Sequence, residues 1–151
     1  MTIKQQIAMS DEEIHEFLAT HQTAVLSLAG EAGPYAVPVT YRFDPEDETF
    51  YFRLVFPKRS EKRQFLPELP PAWLISYIED DPIYESVIAK GTPEEIREAD
   101  ITPEVVTQLG EMSRPLFEMW TSSRADVDIR LYRLSPDALS GRRINLEVHT
   151  E

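Results

Sequence analysis

Apolar residues recur along this chain with two periods, and the switches between them lay out the elements. Ser10-Asp11-Glu12-Glu13 reads as a helix start, with Ser10 as N-cap and Glu13 completing a capping box. Ile14, Phe17 and Leu18 then share one helical face. From Ala24 the spacing becomes strand-like. AVLSLA leads into the turn cluster Gly30–Pro34, after which Tyr35, Val37, Val39, Tyr41 and Phe43 alternate with Ala36, Pro38, Thr40 and Arg42, which predicts a hairpin. Pro38 cannot donate to a ladder, so a bulge or a free edge is expected there. Beyond the acidic turn Asp44–Glu48, Phe50, Phe52, Leu54 and Phe56 form one face of a third strand and Arg53 lies on the other. The loop PKRS then runs into EKRQFL, a helix that Ser60 can cap.

Pro67, Pro70 and Pro71 end that helix, and AWLISYIE and IYESVIAKG are read as the fourth and fifth strands. The segment Gly91–Glu95 is compatible with a short helix or with a continued strand. Thr102-Pro103-Glu104 starts a helix whose apolar stripe runs through Val105, Val106, Leu109, Met112, Leu116, Phe117 and Trp120, with a kink expected from Pro115. DVDIRLYRL is the sixth strand, followed by a tail of mixed character. The fold class expected is mainly β with peripheral helices (α+β): a six-stranded antiparallel barrel formed as a single domain over residues 1–151.

Composition narrows the chemistry. A chain of 151 residues can bury one real core, no apolar run approaches the roughly 20 residues of a membrane span, and the N-terminus lacks the apolar centre of a signal peptide, so the cytoplasm is the expected compartment. With no cysteine there is no thiolate nucleophile, disulfide or cysteine metal site. His15 and His21, six apart, do not share a helical side as metal ligands would, and no metal site is expected. The formal charge of −12 argues against a nucleic-acid or membrane partner. The low lysine content fits either a salt-adapted (halophilic) cytosol or an ordinary acidic protein.

Against that charge, Phe50–Leu66 stands out. It holds five of the fifteen basic residues (Arg53, Lys58, Arg59, Lys62, Arg63) and one acidic residue, a local +4 against −16 elsewhere. The N–H groups of a helix start at Ser60 beside Lys58, Arg59 and Lys62 form a natural phosphate seat. A solvated basic loop is the other reading of the same charges.

The segments "GPYAVPVTYRF", "TFYFRLVFPKRSEKRQFL", "PPAWLISYIED", "YESVIAKG" and "YRLSPDALSGRR", in that order, resemble the pyridoxamine 5′-phosphate oxidase-like superfamily over roughly residues 10 to 141. The resemblance implies an FMN-binding split β-barrel of Greek-key type, acting as an FMN-dependent oxidoreductase on a small-molecule substrate. It implies that Ser60 and Lys62 hold the FMN phosphate, with Arg59 or Arg63 as a second cation beside Lys58. It places the backbone of Val37, Pro38, Val39 and Thr40 against the isoalloxazine, Arg53 and Leu54 along the cofactor, and Tyr84, Glu85 and Ser86 on a neighbouring strand. It further implies a homodimer with flavin at the interface, to which Phe117 and Trp120 could come from the partner. The catalytic residues stay unknown. The sequence departs from the family pattern at Arg53, where many relatives carry histidine or threonine, and in the length of the loop around Glu61. A deazaflavin or haem in the same fold, or an acidic dimer without cofactor, are the alternatives. The tail SGRRINLEVHTE lacks the arrangement expected of a true pyridoxamine phosphate oxidase.

Overall fold

A computed structural model describes residues 5–30, 33–57, 69–110 and 127–146. Along the chain these form β1 (Gln5–Ala8), α1 (Asp11–Thr20), β2 (Thr23–Gly30), β3 (Gly33–Asp44), β4 (Thr49–Pro57), β5 (Ala72–Asp80), β6 (Ile83–Gly91), β7 (Glu94–Glu95), α2 (Pro103–Gly110), β8 (Val127–Leu134) and β9 (Ala138–Asn145). The strands make one antiparallel sheet in the order β1-β9-β6-β5-β2-β3-β4-β8-β7. The expected helix starts are present. Ser10 caps α1 in a reciprocal box with Glu13, at 2.9 and 3.1 Å. The Thr102 hydroxyl accepts from the Val105 N–H at 3.2 Å. The helix expected after Ser60 and the kink at Pro115 lie outside the described residues.

The alternation read from the sequence is the alternation observed. Leu26, Val39, Tyr41, Phe43, Phe50, Phe52, Leu54 and Leu74 turn inward, and Ile14, Phe17 and Leu18 of α1 pack into the same core. Aromatic rings dominate where β3 meets β4: Phe43 and Phe50 are 4.8 Å apart between centroids and Tyr41 sets its edge on Phe50 at 5.6 Å. A smaller cluster of Tyr51, Ile96 and Val105 joins α2 to the opposite face of β4.

Among the described residues there are nine strands, against the six expected. β9 carries Gly141 and the pair Arg142-Arg143, a composition that reads as loop, yet it is held by β6 on one side and β1 on the other. Gly141 is required there because a Cβ would meet Ile14 and Met9 side-chain atoms at 2.9 Å, so the bare backbone is what lets α1 and Met9 close on the sheet. β1 is polar and short, and β7 is two glutamates. Gly91–Glu95, left open above, ends as this strand β7 on the edge beside β8. Arg143 ties β9 to α1 and β6, donating to Glu13 at 2.6 Å and to Glu85 at 2.8 and 3.0 Å.

Candidate functional site: a split between two strand arms

β3 is the strand on which the sheet divides. Its ladder with β2 is continuous from Gly30↔Gly33 to Thr23↔Thr40. Its ladder with β4 covers only Tyr41↔Phe52 to Asp44↔Thr49. β4 meanwhile stays paired with β8 along its whole length, from Phe50↔Leu134 to Pro57↔Val127. Beyond Tyr41 and Phe52, therefore, the arm Gly33–Thr40 travels with β2 and the arm Arg53–Pro57 travels with β8, and a wedge opens between them. Continued register would have set Thr40 against Arg53, Pro38 against Val55 and Ala36 against Pro57.

The backbone groups that face this wedge follow from alternation. Tyr41 donates its N–H to the Gln22 carbonyl at 2.8 Å, so odd-numbered residues of the β3 arm direct N–H and C=O toward β2 and even-numbered ones direct them into the wedge. Pro34 and Pro38 are even-numbered, which is why neither interrupts the β2 ladder. Of the two outcomes expected at Pro38, the structure has the free edge. The arm thus turns into the wedge two N–H donors, those of Ala36 and Thr40, and the carbonyls of Pro34, Ala36 and Pro38. On the β4 arm the same count directs the N–H group of Val55 inward.

Several sequence-predicted residues come together here. Val37, Pro38, Val39 and Thr40 lie on one arm, and Arg53 and Leu54 begin the other. Val39, Thr40 and Leu54 are almost completely buried, at 1%, 2% and 2% exposure, so the accessible part of the arm is at Ala36 and Pro38. Arg53 is half-buried on the face of β4 opposite to Leu54, so the two side chains do not line one surface. Lys58, Arg59, Ser60, Lys62 and Arg63, which follow directly on the β4 arm in sequence, lie outside the described residues, as do Phe117 and Trp120. Tyr84, Glu85 and Ser86 are not on a neighbouring strand: β5 and β2 stand between β6 and β3. Glu85 is engaged by Arg143 instead.

At the root of the wedge, burial pushes the Tyr41 phenol up to about 12, opposed by the nearby Ser76 hydroxyl, which itself donates to the Thr23 carbonyl at 2.9 Å. Past the tip of the β3 arm, a groove of about 440 Å³ is lined by Ser27, Pro34, Trp73, Lys90 and Asp137 among others. The Lys90 ammonium sits 4.3 Å over the Trp73 ring. Sequence reasoning passed over Trp73 and Lys90. The signal was that AWLISYIE is apolar on both faces, with Trp73, Ile75 and Tyr77 outward, and Trp73 and Tyr77 remain 48% and 61% exposed. His15 pairs with Glu48 at 2.8 Å, and His21 stacks on Phe17. Among the described residues no cluster of three potential metal ligands occurs, and no described helix is long and apolar enough to cross a membrane.

A curled antiparallel sheet that divides along one strand in this way is a split β-barrel. Solved structures agree at low identity. A Corynebacterium glutamicum protein provisionally described as a pyridoxamine 5′-phosphate oxidase superposes with a TM-score of 0.69 at 15% identity, covering 99% of this chain and 100% of its own. The FAD binding protein of Mycobacterium smegmatis gives 0.68 at 18%, covering 92% and 98%. The FAD and heme binding protein of the same organism gives 0.63 at 19%, covering 92% and 73%. At such identities these likenesses speak to the fold. None of the curated proteins matches the chain at a significant level. The model of the family described as pyridoxamine 5′-phosphate oxidase matches residues 10–143, and the chain belongs to that family.

Proposed function

We propose that the wedge between the β3 and β4 arms holds a flavin, with FMN as the form the sequence favours, and that the protein is a cytoplasmic FMN-dependent oxidoreductase acting on a small molecule. The observation that carries the reading is the pair of open strand edges. A flavin's pyrimidine rim alternates carbonyl and ring-nitrogen acceptors with one N–H donor, and the β3 arm offers alternating carbonyls and N–H groups at that spacing of chemistry. When bound, the flavin supplies the hydride and electron chemistry. The chain's own part is to hold its rim at Ala36–Thr40 and to seat its phosphate on Ser60 and Lys62, with Lys58, Arg59 and Arg63 adding charge. Family membership and the flavin named for the Mycobacterium smegmatis relatives support the same reading.

The working unit of this proposal is a homodimer. Trp73 and Tyr77 lie exposed on one outward sheet face, where the pairing of Tyr77 with Ser86 and of Glu79 with Tyr84 places Ser86 and Tyr84 too. With two strands between β6 and the wedge, any contribution from Tyr84 or Ser86 would come across the dimer interface. Haem is the weaker ligand, since both described histidines are engaged elsewhere, His15 with Glu48 and His21 with Phe17.

The test is a titration of the purified protein with FMN, a deazaflavin and haem in parallel. FMN uptake is expected, and Lys62→Ala should weaken it by about 1.5–3 kcal/mol, the worth of a charge-assisted bond. Uptake of haem or deazaflavin alone, or FMN binding indifferent to Lys62→Ala, would overturn the assignment.

A further inference from the structure

The wedge is bounded by prolines at the positions where a ladder would otherwise close it. Continuing the observed register, the hydrogen-bonded pairs after Arg42↔Tyr51 would be Thr40 with Arg53, Pro38 with Val55 and Ala36 with Pro57. Each pair needs two N–H donors. Pro38 removes one from the second pair and Pro57 removes one from the third, while Pro34 removes the next beyond. All three prolines fall on the wedge side of their strands. Pro34 and Pro38 leave the β2 ladder whole, and Pro57 still pairs with Val127 in the β8 register. Three prolines at wedge-facing positions, with none at a position facing β2 or β8, separate a strand edge that must stay paired from one that must stay open.

We infer that Pro38, with Pro34 and Pro57, acts as a positioning device that stops β3 and β4 from zipping past Thr40 and Arg53, and so keeps the site open to a flat ligand. Both arms are already extended and are joined at Tyr41↔Phe52; Thr40 and Arg53, the first pair beyond, lack no donor, whereas each pair after them does. This rests on the flavin reading for what the opening is for, but not for whether the opening is held by proline.

Two variants and two measurements separate those questions. In Pro38→Val, and more strongly in Pro34→Val/Pro38→Val, amide exchange at Thr40 and Val55 should slow at least about tenfold as the arms pair, and the melting temperature should rise. FMN uptake should fall at least about tenfold in the same proteins. Unchanged exchange at Thr40 and Val55 in a folded double variant would overturn the inference whatever happens to FMN. Slowed exchange together with undiminished FMN uptake would also overturn it, because closure would then not obstruct the site. If the parent protein takes up no FMN, the flavin reading fails by itself, while exchange and melting still decide the proline device.

Discussion

The two halves of β3 are one continuous strand with opposite duties. From Tyr41 to Asp44 its ladder is with β4, Tyr41 alone reaching back to the Gln22 carbonyl, and its inward rings are sealed in the core, with Tyr41 and Phe43 each 1% exposed. From Gly33 to Thr40 it is paired on one side, with Pro34, Ala36 and Pro38 turned outward and exposed. Apolar alternation is the same in both halves. What differs is where the backbone donors are, and that is decided by which parity the prolines occupy. The comparison teaches that a strand can be structural along one edge and a binding edge along the other without any change in its hydrophobic pattern.

Proline scanning breaks the comparison most sharply. Val37→Pro removes an N–H that faces β2 and should cost about 3 kcal/mol in a denaturant melt, since it strips a ladder bond and strands the Leu26 carbonyl. Ala36→Pro, one residue away, removes an N–H that faces the wedge and should change stability by less than about 1 kcal/mol. Equal costs at the two positions would mean that the parity is wrong.

A smaller effect reads the junction itself. Burial raises the folded-state value of the Tyr41 phenol from 10.0 to about 12. A raised folded value means stability that is complete below the unfolded value and is lost as pH climbs through the folded one. Stability should therefore decline between pH 10 and about 12, by roughly 2 to 3 kcal/mol, and Tyr41→Phe should remove that part of the decline. A Tyr41→Phe protein that loses stability over this window as steeply as its parent would show that Tyr41 is not sealed.

Much of this was legible in the sequence because local and tertiary demands agree there. The capping box at Ser10, the hairpin of β2 and β3, the Phe50-Phe52-Leu54 face and the free edge at Pro38 each follow from residue type and period. The misses have a common cause. β1, β7 and β9 are strands only because a neighbour offers an edge, and Glu94-Glu95 or a segment built around Gly141 has no strand signal of its own. The resemblance sets Tyr84–Ser86 on a strand neighbouring the site, whereas β5 pairs with β2 and separates β6 from β3. β5 is apolar on both faces, and its outward Trp73 and Tyr77 stay 48% and 61% exposed.

The central claim is that ligand occupies the edge of the β3 arm. Amide hydrogen exchange measured with and without saturating FMN tests it residue by residue. The account predicts selective slowing at Ala36 and Thr40, the two donors of that edge, with Val37 and Val39 already protected by β2 and unchanged. Binding of FMN that leaves Ala36 and Thr40 unchanged and slows Trp73 and Lys90 instead would contradict it, and would move the site to the groove at the far end of the arm.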